Sequence, residues 1–389
     1  MKFKTFVALF LLCVMLLPKS LYCIAEEDSS KPQLLSEAFV LMEASTGTII
    51  YEKNMHKVLP PASITKIMTL ILIYEALEEG TITKETIVTA SDYAASMGGS
   101  QVYLEAGEQQ TVDTLIKCIC ISSANDACVT MAEHLCGTES AFVEEMNKKA
   151  KELGMVDTHF VNCCGLDVDG HVSSAYDIAL MSKELMTKYP DIVNYSTRWM
   201  DSMTHTTKNG STEFGLTNTN KLLRQYEGIT GLKTGSTSKA RYCLSATATR
   251  NEIDMIAVIL SAPDTKTRFK EAATLLNYGF SQCKIYLDEH EELEPIRVLV
   301  EKSLSKEVEL EPKHSFQYVS VTKEDFSQIV KEFYIYDTIV APIAKGEELG
   351  TIVYSLNGKE LGRVSLIAKE KVKRAEYIDY LNQILNLLT

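Results

Sequence analysis

The sequence has no excess of basic residues, and this limits the partners that it can bind. Its 389 residues include 52 Asp and Glu against 39 Lys and Arg, which gives a formal net charge of −13 at pH 7. Nucleic-acid-binding proteins need a basic surface that displaces counterions from phosphates. We therefore expect no nucleic-acid partner, and a cationic or neutral ligand instead.

A zinc-ligand motif is also missing. The sequence contains no His-Glu-x-x-His, which places two ligands on one helix face in metallopeptidases. Cys118 and Cys120 are close in sequence, but no second Cys/His pair at ligand spacing accompanies them. We therefore predict that the protein uses neither a metal ion nor another cofactor.

The sequence has no apolar run of the about 20 residues that a membrane-spanning helix needs. Residues 1–25 open with Lys2 and Lys4, continue with an apolar run over residues 6–17, and end in the small Ala25. This pattern is typical of a secretory signal peptide, so we expect an exported protein at the outer face of the cell membrane or in the cell wall space. Lipid attachment at Cys23 is the less favoured alternative.

Disulfides are not expected to hold the fold together. Cleavage after Ala25 would leave eight of the ten cysteines, an even number that permits pairing in an exported protein. Four of them fall in apolar helical sequence and two are adjacent, so we interpret most of them as small buried hydrophobic residues. A disulfide between one pair remains the alternative. The eight are Cys118, Cys120, Cys128, Cys136, Cys163, Cys164, Cys243 and Cys283.

The segment over residues 60–77 organises the rest of the sequence. Pro60 and Pro61 are tolerated at the entry of a helix but not inside it, so a helix is predicted to begin near Ser63. Lys66 follows on the same face, and the apolar block behind it predicts a buried helix. Burial disfavours a charged ammonium, so Lys66 could act as the base for a Ser63 nucleophile. Ser-x-x-Lys alone is a weak motif, because it occurs at four other places in this sequence.

A polar turn interrupts apolar helical sequence at residues 122–126. Ser123, Asn125 and Asp126 compete with helical backbone hydrogen bonds, which predicts a break between two helices. Such a turn can present side chains to a cleft, and a simple helix cap is the alternative. A lone histidine such as His171, in a later polar segment, is more often structural than catalytic.

A third segment combines a cation with small residues. Lys233-Thr234-Gly235 precedes two strand-like segments, 240–249 and 253–260, which predict a β-hairpin. The small residues after Lys233 let a ligand approach the strand backbone closely, beside a positive charge.

The sequence changes character near residue 286. Short strand-like segments separated by charged residues predict a small β-rich domain over residues 286–368. Residues 369–389 place a basic entry ahead of apolar residues at helical spacing, which is typical of an amphipathic helix at a membrane surface. A helix packed on the β-rich domain is the alternative. The strand-like segments are 296–300, 316–321, 338–341 and 351–354.

The polar segments follow a fixed order, which is Ser63 with Lys66, Ser123 with Asn125, and then Lys233-Thr234-Gly235. This set resembles the signature of penicillin-recognising serine enzymes. Within that group the chain is similar to D-alanyl-D-alanine carboxypeptidases, the low-molecular-mass penicillin-binding proteins, over residues 35 to about 370. The resemblance implies an α/β catalytic domain over residues 33–285, like that of β-lactamases and transpeptidases, with an antiparallel sheet between helix clusters. It also implies the β-rich domain and the amphipathic tail.

The resemblance further implies a serine peptidase that removes the terminal D-alanine from peptidoglycan stem peptides ending in D-Ala-D-Ala, and that β-lactams inhibit covalently. Ser63 would attack the peptide carbonyl while Lys66 takes its proton, and Ser123 would pass a proton to the departing D-alanine. The N–H groups of Ser63 and Ser236 would form the oxyanion hole. The implied substrate-binding residues are Asn125, His171, Lys233, Thr234, Gly235, Ser236, Thr237 and Arg268.

One position departs from the family pattern, since Thr219 stands where related sequences can carry an arginine, so carboxylate recognition can differ here. Two other functions stay open. A β-lactamase uses the same acylation groups, but residues 162–177 contain Asp167 and Asp169 and no glutamate for the deacylating water of class A enzymes. A non-enzymatic wall-binding or penicillin-sensing protein has no physical need for all of these polar groups.

Overall fold

The computed structural model describes residues 31–208, 210–322 and 324–381. The α-helices are α1 (Lys66–Glu78), α2 (Asp92–Ala95), α3 (Val112–Ile121), α4 (Asn125–Cys136), α5 (Glu139–Glu152), α6 (Ala175–Lys188), α7 (Val193–Ser196) and α8 (Thr265–Gln282). The strands are β1 (Ala38–Glu43), β2 (Ile49–Lys53), β3 (Ile87–Thr89), β4 (Gln109–Thr111), β5 (Met200–Thr207), β6 (Gly210–Thr217), β7 (Ile229–Thr237), β8 (Arg241–Arg250), β9 (Ile253–Ala262), β10 (Lys284–Asp288), β11 (Ile296–Leu299), β12 (Glu307–Pro312), β13 (Phe316–Ser320), β14 (Ile329–Ile335), β15 (Glu348–Leu356) and β16 (Lys359–Ala368).

A five-stranded antiparallel sheet, in the order β2-β1-β9-β8-β7, forms the centre of the larger part of the molecule. The inner strands β1 and β9 are buried on both faces, whereas the edge strand β2 is partly exposed. Successive side chains of a strand point to opposite faces. On β1, Val40 and Met42 join the core on one face, whereas Phe39 and Leu41 join the core on the other. The predicted hairpin of β8 with β9 is confirmed, and β1 pairs with β2 in a second hairpin.

Helices cover the two faces of this sheet unequally. The larger core contains side chains of α1, α3, α4, α5 and α6 and packs on one face. The other face is covered by α8, through Phe269, Ala272, Leu275 and Leu276. The predicted α/β architecture, with an antiparallel sheet between helices, is therefore confirmed.

The helix starts follow local sequence. In the part of the chain that the structure describes, five α-helices begin after a residue whose side chain accepts a hydrogen bond from a backbone N–H of the first turn, which stabilises an otherwise unpaired donor. These residues are Ser91, Thr111, Thr138, Ser174 and Asp264. Helix α1 differs, because it continues from a 3-10 turn at Ala62–Thr65 that follows the two prolines.

A second five-stranded antiparallel sheet, in the order β11-β12-β16-β15-β14, lies near the C-terminus. It has its own core, in which the rings of Phe316 and Tyr354 stack with centroids 3.7 Å apart. The predicted strand at 338–341 is wrong. This segment makes only an isolated bridge between Glu301 and Val340, because its buried apolar residues fill the core in an extended connection.

The two predicted end segments have different outcomes. The signal peptide at residues 1–25 lies outside the described residues. Residues 369–376, predicted to begin the amphipathic helix, are not helical, because Val372 forms a backbone bridge with Ile343. Helix begins at Tyr377. Among the described residues, no helix has the length and apolarity needed to cross a membrane.

We predict that Leu41→Ala lowers the free energy of unfolding by about 2–5 kcal/mol, because it leaves a cavity in the core between β1 and α8. Leu41 is fully buried there. Urea unfolding followed by fluorescence measures the loss. Leu35→Ala is the control, since Leu35 is 75% exposed, and should change the value by less than about 0.5 kcal/mol. Equal losses for the two variants would contradict this description of the core.

Candidate active site

Ser63 and Lys66 meet where the 3-10 turn Ala62–Thr65 joins α1. The Ser63 Oγ lies 3.1 Å from the Lys66 Nζ. Ser63 is half-buried, whereas Lys66 is fully buried. The structure thus brings together the predicted nucleophile and base at the entrance of a buried helix.

Two oxygens hold the Lys66 nitrogen from its other sides. Nζ donates to Oδ1 of Asn125 and to the backbone oxygen of Cys164, each at 2.7 Å. An uncharged amine has two N–H bonds, and these two acceptors use both of them. The lone pair then faces the Ser63 hydroxyl, so in this form Lys66 can accept the Ser63 proton.

Ser123 lies in the turn between α3 and α4, with a φ of +60° that is uncommon for a residue with a side chain. This conformation aims its Oγ at the Lys233 Nζ, 2.8 Å away. The Asn125 amide bridges two segments, since its Nδ2 donates to the Gly98 oxygen and its Oδ1 accepts from the Lys66 Nζ, each at 2.7 Å. No side chain caps α4, so the helix-cap interpretation of this turn is wrong.

Lys233 lies on β7, the edge strand of the central sheet. It is only 2% exposed. Burial and the nearby charge of Lys66 lower the pKa of Lys233 to about 7. Its ammonium therefore exchanges a proton near neutral pH, within hydrogen-bond distance of the Ser123 hydroxyl.

Gly235 allows β7 to lie directly against the turn that carries Ser63. A Cβ at Gly235 would come within 3.0 Å of both the Ala62 Cβ and the Pro61 oxygen, and within 3.1 Å of the Ser63 nitrogen. A larger residue would push the strand away from the turn. The sequence predicted that small residues here let a ligand approach the strand. In the structure, Gly235 lets the backbone of the Ser63 turn approach β7.

The other predicted residues of β7 line its end. Ser236 is exposed, and Thr237 is half-buried with its Oγ1 donating to Oδ1 of Asp167 at 2.7 Å. The Thr234 Oγ1 lies 2.6 Å from that of Thr219. Thr219, the position where related sequences can carry an arginine, is therefore in contact with β7.

The structure does not support His171 as a substrate-binding residue. His171 is 3% exposed, and both ring nitrogens contact protein. Nδ1 accepts from the Val161 N–H at 3.0 Å, so Nε2 carries the proton and donates to the Thr65 Oγ1 at 2.8 Å. Burial lowers the pKa of His171 to about 4, so the ring is neutral. It is a structural histidine behind the Ser63 turn, because the Thr65 hydroxyl in turn donates to the Ala62 oxygen.

Arg268 lies on α8 and is 7% exposed. One terminal nitrogen of its guanidinium donates to the backbone oxygens of Gly235 at 2.8 Å and Cys243 at 3.1 Å. Burial lowers the pKa of Arg268. These contacts hold β7 from its side, and a contact with a substrate carboxylate stays a prediction.

Several groups that support the site are not evident from the sequence alone. Cys164 contributes only its backbone oxygen, which no side-chain pattern could indicate. Asp126 accepts from the N–H groups of Val102 and Leu104, each at 3.1 Å, and so fixes the loop beside Asn125. The acidic residue at the start of α4 was a usable signal for this role.

Fold and site together define a class of protein. An antiparallel sheet lies between helices, and two serine–lysine pairs lie at its edge strand β7. Ser63, paired with Lys66, lies against Gly235 of this strand, and Ser123 pairs with Lys233 on it. This arrangement is that of the penicillin-recognising serine enzymes.

Comparison with known proteins agrees. The sequence model of the D-alanyl-D-alanine carboxypeptidase family matches residues 25–264, and that of the penicillin-binding protein 5 C-terminal domain matches residues 289–374. The chain is 40% identical to the D-alanyl-D-alanine carboxypeptidase DacF of Bacillus subtilis, over 98% of this chain and 97% of that protein. The chain belongs to the D-alanyl-D-alanine carboxypeptidase family.

Solved structures show the same similarity. The peptidoglycan synthesis regulatory factor PBP3 of Streptococcus pneumoniae is 27% identical, with a TM-score of 0.72 over 88% of this chain and all of that one. Penicillin-binding protein D2 of Listeria monocytogenes, solved with bound ampicillin, is 33% identical, with a TM-score of 0.54 over 64% of this chain and 99% of that one.

We predict that Gly165→Ala slows labelling by a fluorescent penicillin about 100-fold, the cost of a misplacement of about 1 Å at a reacting group. A Cβ at Gly165 would lie 1.9 Å from the Ala62 oxygen and would displace the Ser63 turn. Labelling rates are measured by gel fluorescence on folded protein.

Gly170→Ala is the matched control for this variant. Gly170 has the same φ of +85°, but its nearest contact would be at 3.9 Å, to Val161. This variant should lose only about 1–2 kcal/mol of stability, because a side chain is strained in this backbone conformation. Its labelling rate should equal that of the unmodified protein. Equal labelling rates in the two variants would show that the close approach of Gly165 does not position Ser63.

Proposed function

We propose that this protein removes the terminal D-alanine from peptidoglycan stem peptides that end in D-Ala-D-Ala, through an acyl-enzyme on Ser63. The observation that carries the proposal is the pairing of each serine with a buried lysine. Ser63 lies 3.1 Å from the Lys66 nitrogen, and Ser123 lies 2.8 Å from the Lys233 nitrogen. One pair can activate a nucleophile while the other serves the leaving group.

In the acylation step, the Ser63 Oγ bonds to the carbonyl carbon between the two D-alanines, and its proton passes to Lys66. The N–H groups of Ser63 and Ser236 stabilise the oxyanion. The C–N bond then breaks, and Ser123 passes a proton to the departing amine, so that D-alanine leaves. Water attacks the ester, and the shortened peptide departs with Ser63 restored.

Substrate binding in this proposal uses the free edge of β7. An extended peptide can lie along an edge strand and hydrogen-bond to its backbone. The substrate carboxylate then faces the Lys233 ammonium and the Thr234 hydroxyl, while the Asn125 amide binds the peptide. The same groups bind β-lactams, whose strained amide and carboxylate imitate those of the peptide.

The proposal extends to location and to domains. An exported enzyme would act outside the cell membrane, with a catalytic domain over residues 33–285 and a β-rich domain over residues 286–368. The separate cores of the two parts support this division. A tail that touches the membrane surface is supported by exposed apolar side chains, which are Tyr377, Ile378, Tyr380 and Leu381.

We expect Ser63→Ala to abolish both covalent penicillin labelling and D-alanine release from a pentapeptide, because the only proposed nucleophile is removed. The fold should persist, since the change deletes one oxygen at a half-buried position. Labelling is measured by gel fluorescence, D-alanine by an enzymatic assay, and folding by circular dichroism.

Two outcomes would contradict the proposed function. Rapid turnover of penicillin by the unmodified protein without release of D-alanine would identify a β-lactamase. Labelling that persists in the Ser63→Ala variant would place the nucleophile elsewhere.

We also predict that the second-order rate constant for penicillin acylation falls as pH rises above about 7. The pKa of Lys233 is lowered to about 7, so its ammonium is charged below this pH and neutral above it. The attraction for the ligand carboxylate is lost with the charge. Stopped-flow measurements from pH 5 to 9 would record the fall. A penicillin methyl ester, which has no carboxylate, should not show it, and parallel profiles for acid and ester would refute the role of Lys233.

A further inference from the structure

Three side chains that can each ligate zinc lie together beside α1. Oxygen and sulfur atoms of Glu139, Cys163 and Cys164 all lie within 4.8 Å of one another. The two sulfur atoms are 3.5 Å apart. Glu139 begins α5, and the cysteines belong to the segment that precedes α6, so the fold rather than a sequence motif brings the third group to the pair.

The spacing fits a thiophilic cation. Zinc binds thiolates at about 2.3 Å and carboxylate oxygens at about 2.0–2.2 Å, usually with tetrahedral geometry. Two sulfurs at that distance and angle are about 3.8 Å apart, close to the separation of the Cys163 and Cys164 sulfurs. Small side-chain rotations would therefore bring all three groups onto one ion.

The Glu139 carboxylate is already oriented toward Cys163 and Cys164. The Tyr93 hydroxyl donates to one Glu139 oxygen at 2.7 Å, and the Cys163 N–H donates to the other at 3.0 Å. Hydrogen bonds of this kind fix ligands in metal sites. The two thiols are almost fully buried, whereas Glu139 is half-buried and leads to solvent.

Both cysteines must be deprotonated to act as ligands, because the thiolate and not the thiol binds a metal ion. A divalent ion that binds here would displace the remaining thiol protons and leave two thiolates and one carboxylate around it.

We propose that Glu139, Cys163 and Cys164 form a binding site for a thiophilic divalent cation such as Zn²⁺ or Cd²⁺, with water in the fourth position.

The site is linked to the proposed active centre through the backbone. The Cys164 oxygen accepts from Lys66 and the Cys163 oxygen accepts from Thr69, each at 2.7 Å. A cation that rotates these two residues would shift an acceptor of the Lys66 nitrogen. Bound cation should therefore slow acylation of Ser63, and this consequence rests on the proposed function.

The direct test is a titration of the purified, reduced protein with Cd²⁺ alone, followed by the ultraviolet charge-transfer band of cadmium thiolates. We expect one ion per chain. Cys163→Ser and Cys164→Ser should each weaken binding at least about tenfold, the lower end of the loss caused by removing even an outer partner of a metal ligand. Circular dichroism checks that each variant folds.

Two further variants test the role of the carboxylate and provide a control. Glu139→Gln changes a half-buried side chain without removing a thiol, and should also weaken binding about tenfold. Cys283→Ser is the control, because Cys283 is a half-buried free cysteine just beyond α8. It should leave the band unchanged. Absence of a thiolate band, or an affinity in Cys163→Ser and Cys164→Ser equal to that of the unmodified protein, would overturn the site.

Penicillin labelling separates this site from the proposed function. Cd²⁺ should slow labelling of the unmodified protein, and the effect should require a higher concentration in Glu139→Gln. Unchanged labelling at saturating Cd²⁺ would overturn the link to Lys66. A protein that is not labelled even without Cd²⁺ would instead refute the proposed function, whatever the titration shows.

Discussion

The burial of the Lys66 nitrogen is the constraint on which the rest of the site depends. Burying an amine or ammonium without acceptors is costly, because no water replaces the lost hydrogen bonds. Three separate parts of the chain each supply one oxygen to Nζ: the turn before α1, the start of α4, and the segment before α6. Once these parts meet around the nitrogen, the position of the Ser63 hydroxyl is fixed as well. The reactive geometry is thus the same geometry that makes the buried lysine tolerable.

A second buried lysine adds an opposing constraint. Lys66 and Lys233 are both almost completely buried, and the charge of Lys66 lowers the pKa of Lys233, as burial also does. The protein is acidic as a whole, so this cleft differs in sign from most of the surface. An anionic ligand would relieve the repulsion between the two lysines when it binds. The same pair of buried lysines therefore attracts a carboxylate and determines the protonation state of the site.

Local sequence was sufficient for the parts of the structure that local chemistry determines. The prolines and the apolar block predicted the helix behind Ser63, and the small residues of β7 predicted a close approach. Contacts between distant segments could not be predicted in this way, as His171 shows. Its partner Thr65 is 106 residues away, and only the fold reveals that both ring nitrogens are occupied. The strand predicted at 338–341 was wrong for another reason. An apolar run that is buried in an extended connection has the same sequence pattern as a strand.

The link between the two sheets determines how far the β-rich part can move. Strand β10 leaves α8 directly and pairs with β13, and Val319 of β13 packs in the core beneath α8. A flexible linker would have neither the pairing nor the buried contact. At the other end, the backbone of Ala375 donates to the Lys302 oxygen at 2.8 Å, which fixes the chain just before Tyr377. A tail held at a membrane surface, as proposed above, would therefore be joined to both sheets through these paired and buried segments.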